Sequence, residues 1–461
     1  MKKVFVFCIG GTGIRVMKSI IMLMAGGMDT NDSIIVPVIV DPHLDLEEKK
    51  NLHTLMDCYK KIYDRSLNDG KRLNGFFRTQ ITTLAELNNQ MNDTQENVGS
   101  HEKFRSYINS DKLTSGDLNS YLVQTLFSTK NLNSPLSVGF KGNPNMGTVV
   151  LGDWIEGRHW FDAFKLHCDK DDRVFIISSI FGGTGASGYP LLEKKIRMSE
   201  NEPTVKDVLM GAITVLPYYG LKDPSTTGSD IDSANFNTKT KAALAYYEDT
   251  VQSDYLYYVG EQTLRQVYEN DEQKQDDKTH FVELVAASAL FDFLHRERPD
   301  DRQYLTRAID SDEDSMELNS LGDGYKDIIK SVADFMLLRE LVDILPKERW
   351  FPLKKNRGLN DKFYSDEAFR TLCKFVEKYY LWYTELRENK RAFAPLNIDK
   401  SNSMDGWIKG ITLDAKDDSY YLLEMIKASN NSKDKDHNNK LRFFLQFAYE
   451  AIDHYTNKIN K

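Results

Sequence analysis

Two uninterrupted apolar runs in the first half of the chain each end in a glycine-rich turn and pass into helical spacing. The first is Lys3-Val4-Phe5-Val6-Phe7-Cys8-Ile9, followed by Gly10-Gly11-Thr12-Gly13 and then by Ile14, Met17, Ile20, Ile21 and Met24. The second is Val174-Phe175-Ile176-Ile177-Ser178-Ser179-Ile180, followed by Gly182-Gly183-Thr184-Gly185-Ala186-Ser187-Gly188 and then by Leu191-Leu192-Glu193-Lys194-Lys195-Ile196. Runs without polar alternation mark strands buried on both faces, and apolar residues three and four apart mark helices packed along one side. Ile34-Ile35-Val36-Pro37-Val38-Ile39-Val40 predicts another such strand, which Asp41 ends.

The rest of the pattern is mainly helical. Residues 47–138 are polar and Asn-rich, helical in pieces, with Leu118, Leu122 and Leu126 at fourfold spacing. Gly152 to Cys168 reads as the helix that feeds the second glycine-turn strand. Leu221 to Asn237 reads as a loop leading into a Thr238–Tyr247 helix, and Phe281 to about Leu294 as a long apolar helix. The acidic stretch Asp310-Ser311-Asp312-Glu313-Asp314 marks a boundary. Beyond it, Ile328–Leu345, Ala368–Leu386, Tyr420–Ile426 and Leu441–Ile459 have helical patterns and two-residue alternation is scarce. There is no fixed-period repeat and no heptad pattern. The aromatic cluster Tyr379, Tyr380, Trp382 and Tyr383 reads first as core and second as a partner surface.

A strand, a glycine turn and a helix in succession make an anion site. Glycine lets backbone N–H groups crowd a phosphate, and the helix N-terminus adds partial positive charge. Thr184 and Ser187 add hydroxyl donors. The plainer reading of one such loop is a tight turn that needs positive φ. A third segment, Gly142-Asn143-Pro144-Asn145-Met146-Gly147, reads as a loop, and three such segments can converge on one polyphosphate at the carboxyl edge of a parallel sheet. None has the Gly-x4-Gly-Lys-Ser/Thr spacing of a P-loop.

These residues carry a resemblance. Gly-Gly-Thr-Gly-Ala-Ser at 182–187 after an apolar strand resembles the signature loop of the tubulin/FtsZ family, Gly10–Gly13 resembles its first phosphate loop, and Gly142-Asn143-Pro144-x-x-Gly147 is similar to the γ-phosphate loop of FtsZ. The three occur in the family's order, and the likeness covers roughly the first 300 residues. The resemblance implies an α/β fold with a parallel-sheet, Rossmann-like nucleotide-binding domain over 1–310, in which about 47–138 reads as an insertion. The helical patterns beyond it predict a mainly helical C-terminal domain over 311–461, which differs from the mixed α/β second domain that the family would imply. The resemblance also implies GTP or GDP as ligand, Mg held through phosphates and water with Asp41 and Asp45 nearby, and self-assembly into filaments or oligomers.

The likeness has gaps. Phe181 stands where the signature is small, and Ser187 displaces its last glycine by one. Ile213 to Gly220 resembles the strand and Pro-containing loop that reach the ribose, and Leu256–Val259 the next strand. After that strand Gly260-Glu261-Gln262 replaces an asparagine, and His280 falls near an acidic base-reading position. The family's hydrolytic acids follow the central helix and serve the neighbouring subunit. Here His295-Arg296-Glu297-Arg298-Pro299-Asp300-Asp301-Arg302 offers Glu297, Asp300 and Asp301 without the family's spacing; the plainer reading is a solvated charged turn.

Two further readings remain. One is a hydrolysis-deficient, nucleotide-gated scaffold whose helical tail recruits a protein partner. The other is a Rossmann-type dinucleotide enzyme in which Asp41 binds ribose hydroxyls, which leaves two glycine segments unused. The formal net charge of -9 argues against nucleic acid as a partner, and no apolar stretch is long enough to cross a membrane. The apolar run at 3–9 is too short for a secretory signal. Cys8, Cys58, Cys168 and Cys373 form no Cys-x-x-Cys pair and fit a reducing cytoplasm, each as a small core residue. His159, His167 and Cys168 lack metal-ligand spacing.

Overall fold

In the computed structural model the described residues are 1–42, 46–89, 103–114, 116–136, 139–140, 142–155, 158–221, 234, 236–261, 267–268, 278–309, 325–347, 358–389 and 439–456. Among them, eight strands form: β1 (Lys3–Ile9), β2 (Ile34–Val40), β3 (Arg173–Ser179), β4 (Leu209–Val215), β5 (Gly220–Leu221), β6 (Tyr255–Glu261), β7 (Val267–Tyr268) and β8 (Gln303–Ile309). Six make one parallel sheet in the order β2-β1-β3-β4-β6-β8, and β5 pairs with β7 apart from it. The protein is α/β and Rossmann-like, as the apolar runs predict.

The longer helices are α1 (Gly10–Ala25), α2 (Glu47–Ser66), α3 (Pro144–Ile155), α4 (His159–His167), α5 (Gly183–Arg197), α6 (Phe236–Thr250), α7 (Phe281–Leu294), α8 (Tyr325–Ile344), α9 (Glu367–Glu388) and α10 (Lys440–Thr456). They cover both faces of the sheet. Along β1, Val4, Val6 and Cys8 enter one core with residues of α1, α2, α7, α8, α9 and α10, whereas Phe5, Phe7 and Ile9 enter the other with residues of α3, α4, α5 and α6. The two-residue period of a strand therefore feeds two apolar layers, which is why β1 and β3 carry no polar alternation.

Several elements differ from the sequence reading. The stretch 142–147 is only partly a loop, because Pro144 opens α3, a position where its missing N–H is harmless. The expected Gly152–Cys168 helix is two helices, α3 and α4. Within 47–138, α2 is a 20-residue helix whose Leu52, Leu55, Tyr59 and Ile62 join the main core. Leu118, Leu122 and Leu126 stay at least half exposed on a short helix, so their spacing marks no core face. Tyr420–Ile426 and the 310–314 stretch lie outside the described residues.

Helix α7 is apolar around most of its surface because twelve of its fourteen residues are buried. His280 and Glu283 form a capping box at its start. At its end, Arg173 donates to the carbonyls of Phe293 (2.7 Å) and Leu294 (3.2 Å). Helix α5 contains Pro190, which has no N–H for the carbonyl of Ala186; the buried Tyr247 hydroxyl of α6 donates to that oxygen at 3.0 Å.

The C-terminal helices share the core of the sheet. Trp382, fully buried, donates from Nε1 to Ser19 Oγ of α1 at 3.2 Å, and Tyr379 stacks on Phe335 of α8 at 4.0 Å. Lys18 of α1 pairs with Glu385 of α9 at 3.0 Å. Truncating Trp382→Ala is expected to cost about 3–5 kcal/mol and to lower the stability of the whole chain in one transition. Urea unfolding followed by far-UV and near-UV signals checks this; two separated transitions, only one of them moved, would refute the shared core.

Candidate functional site

The glycine segments meet where the strand order reverses. β2 lies on one side of β1 and β3 on the other, so the loops leaving β1 and β3 diverge to opposite faces and open a crevice between them. Gly10, at φ +71°, occupies the left-handed region, and a Cβ there would lie 3.4 Å from Thr184 Cβ and 3.6 Å from Gly185 N. The first and signature segments are thus side by side. A Cβ on Gly183 would lie 3.1 Å from Asn143 N and 3.2 Å from Gly142 N, and one on Gly147 would lie 2.2 Å from Ser187 Oγ. All three segments predicted from sequence are together at the carboxyl edge.

The first turns of α1 and α5 rest on bare backbone. A Cβ on Gly13 would stand 2.7 Å from Cys8 C and 2.9 Å from Ile177 O; one on Gly185 would stand 2.4 Å from Ser179 O. Neither helix has a side-chain cap: the N-cap residues are Ile9 and Gly182. The leading N–H groups of two helices therefore point into one crevice, where they and the helix dipoles favour an anion. Gly11, Gly182 and Thr184 are half-buried at its rim; Thr12, Gly13, Gly185, Ala186 and Ser187 are buried. Ser187 differs from expectation, since its hydroxyl donates to Gly183 O at 2.7 Å within its own helix.

Other predicted residues have distinct places. Asn143 and Pro144 are half-buried at the start of α3. Asp41 is buried after β2, and Lys49 Nζ donates to its carbonyl at 3.3 Å. Glu261 ends β6 and His280 precedes α7; both are buried, with His280 Nε2 3.6 Å from Glu261 Oε2. His280 Nδ1 accepts from Val282 N at 3.1 Å, so its ring also caps α7. Gln262 and Asp45 lie outside the described residues. Glu297, Asp300 and Asp301 are exposed on the turn between α7 and β8, at the amino edge of the sheet, opposite the crevice. That turn is held by Tyr255 donating to Glu297 O at 2.6 Å and by Arg298 paired with Asp254 at 3.2 Å.

A buried charge network beneath the first segment was not singled out from sequence. Arg15 donates to Glu283 Oε1 and Glu48 Oε1, each at 2.8 Å, to Tyr218 Oη at 3.1 Å and to Thr12 Oγ1 at 3.3 Å. Tyr218 donates to Glu283 at 2.7 Å. Burial opposes the Arg15 charge, but Tyr218, Glu48 and Glu283 hold the guanidinium more firmly protonated than a free arginine. The available signal was a lone arginine inside the apolar run Ile14-Arg15-Val16-Met17.

The cysteines are core residues: Cys8, Cys58 and Cys168 are buried, Cys373 is half-buried, and burial raises all four thiols. Among the described residues no cluster of three or more His, Cys, Asp or Glu could hold a metal, and no helix is long and apolar enough to cross a membrane. A separate cleft of about 560 Å³ opens beside α7, lined by Met28, Ile213, Tyr257, Val259, Ala289 and Leu305, and touches no glycine segment.

With this geometry in hand, comparison with protein-family models finds no match, and comparison with curated proteins finds none either.

Replacing Arg15→Met leaves Glu48 and Glu283 as neighbouring buried carboxylates without their cation. A loss of about 3–5 kcal/mol is expected. Adding Glu48→Gln and Glu283→Gln should restore much of it. Denaturant midpoints of the single and triple variants test the network; equal losses in both would contradict it.

Proposed function

We propose that this chain is a tubulin/FtsZ-like nucleotide-binding protein that takes a guanine nucleotide by its phosphates and self-assembles. The observation that carries the reading is the meeting of Gly10–Gly13, Gly142–Gly147 and Gly182–Ser187 in one crevice at the β1/β3 reversal, with two uncapped helix N-termini aimed into it. Backbone N–H groups and dipoles recognise phosphate without regard to the base. Magnesium fits as an ion carried by phosphate oxygens and water, with Asp41 as the nearest expected carboxylate.

The charged turn after α7 supports hydrolysis between subunits over hydrolysis within one. Glu297, Asp300 and Asp301 lie at the edge opposite the crevice and cannot serve the nucleotide of their own chain. Copies stacked along the strand direction would bring one chain's turn to the next chain's crevice. Since the acids lack the family spacing, turnover is slow and the chain acts mainly as a nucleotide-gated assembly or scaffold, with a protein partner for the C-terminal helices.

Base recognition rests on other contacts than in FtsZ. Glu261 and His280 are sealed against each other, and Tyr218 lies against the His280 ring at 5.0 Å. Selectivity between guanine and adenine is therefore modest.

The decisive experiment is denaturation of the purified protein and anion-exchange analysis of what it releases. GDP or GTP is expected; NAD would favour the dinucleotide enzyme instead. Gly11→Val, at the rim, should abolish binding with the circular dichroism unchanged. Gly183→Val is a poorer probe, because a Cβ there already lies 2.8 Å from Phe140 Cβ. Wild-type affinity in a folded Gly11→Val variant would reject the crevice.

Phosphate release against protein concentration, with light scattering on the same samples, tests assembly. Slow release and modest scattering are expected. Rapid, cooperative release with long filaments from the protein alone would show that the acidic turn is a complete hydrolytic element.

A further inference from the structure

The two edges of the six-stranded sheet are finished differently. Beyond β2, Ile35 N donates to Gln80 O and Thr82 N donates to Ile35 O, each at 3.0 Å, so a crossing segment closes that edge. At the other edge β8 pairs with β6 alone among the described residues. Gln303 N donates to Asp254 O at 2.9 Å, which sets the ladder: residues 303, 305, 307 and 309 turn their backbone groups toward β6. The N–H and C=O groups of Tyr304, Thr306 and Ala308 point outward, and among the described residues nothing bonds to them. Natural edges of this length are commonly blunted by proline, lysine or a bulge. β8 has neither proline nor lysine in its seven residues, and its register with β6 runs unbroken.

The cleft of about 560 Å³ runs beside this open edge. Leu305 and Thr306 belong to its wall, together with Tyr257 and Val259 of β6 and Val285 and Ala289 of α7. A strand laid along β8 would set every second side chain on the face that carries Leu305, over the cleft. The volume suits several apolar side chains. Exposed carboxylates frame the same region: Asp300 and Asp301 immediately precede β8, and Asp327 stands at the cleft. The cations of the cleft are already engaged, Arg296 with Asp292 and Lys330 with Asp334 and Asp453.

We propose that β8 and its cleft form a docking groove for an extended segment of a partner protein. The segment adds a seventh strand to the sheet, sends alternate apolar side chains into the cleft, and sets a lysine or arginine against Asp300 and Asp301. The row of outward backbone groups calls for a backbone in return, which a compact small molecule does not offer, and the apolar cleft beside it supplies the side-chain selection that such strand addition uses. A second copy of this chain is the poorer occupant. Its β8, laid antiparallel, would bring its own Asp310–Asp314 stretch toward Asp300 and Asp301, like charge against like. The groove is separate from the crevice, and the assignment holds whatever ligand the crevice takes.

The test pans a displayed library of random dodecapeptides against immobilised full-length protein and measures the most enriched peptide, synthesised with a fluorophore, by anisotropy. Enriched sequences are expected to alternate apolar and polar residues, with lysine or arginine toward one end. N-methylating every second residue of that peptide should weaken binding by about tenfold or more in one parity and by less than about threefold in the other, since only one set of its N–H groups faces β8. Thr306→Pro removes an outward N–H and leaves the ladder to β6 intact, so it should also weaken binding by about tenfold or more. No enrichment, enriched sequences without alternation, equal effects of the two methylation sets, or wild-type affinity in Thr306→Pro would each overturn the proposal. A wild-type dimer in sedimentation that Thr306→Pro dissociates would name the second copy as occupant and overturn it as well. If Thr306→Pro melts early without peptide, the two methylation sets carry the comparison on unaltered protein.

Discussion

Everything at the carboxyl edge depends on one steric constraint, the absence of Cβ atoms where α1 and α5 land on β1 and β3. Gly13 lies against Cys8 and Ile177, Gly185 against Ser179, and Gly188 against Ile9. At these separations any side chain would lift the helix off the strand ends. Lifting either helix would widen the crevice and turn its leading N–H groups away from a shared centre. The tight seat thus fixes packing and the direction of the donors together. It also explains why the second segment closes so near: Gly147 and Gly183 leave room for Ser187 and Phe140 between the layers.

Beneath that edge, one buried cation joins elements distant in sequence. Arg15 connects α1 to α2 through Glu48 and to α7 through Glu283, and Tyr218 brings in the segment after β4. A buried ion pair adds little net stability, but an incomplete one is expensive. The network therefore specifies arrangement: α1, α2 and α7 must sit together or leave a charge stranded. Since α7 runs from the crevice to the amino edge, capped at both ends, that arrangement also sets where the acidic turn lies.

The strands and glycine turns were legible because their signal is local. A run such as Val4 to Ile9 needs burial on both faces, and Gly10–Gly13 can only interrupt it as a turn. The crevice was legible as convergence because strand-turn-helix units in a parallel sheet place their turns at one edge. The Arg15 network was not, since its members stand at 15, 48, 218 and 283 and only the fold brings them together. Leu118, Leu122 and Leu126 failed differently: regular spacing defines a face but not what it meets. Pro144 was read as loop punctuation, yet the first position of a helix tolerates proline as well as any loop does. Ser187 showed the limit of residue chemistry, because a hydroxyl in a polar loop can spend its proton on its own helix.

The proline in α5 has a consequence for how this chain can change over time. Pro190 leaves the Ala186 carbonyl to a hydroxyl from another helix, so the fates of positions 190 and 247 are joined. Losing Tyr247 first strands a buried acceptor, at a cost of about 1–3 kcal/mol. Replacing Pro190 first lets the new backbone N–H take the carbonyl, after which the tyrosine hydroxyl is dispensable. One order of substitution crosses a valley and the other does not. Descendants of this sequence should therefore lose the proline before the tyrosine, a historical asymmetry written by a single missing hydrogen.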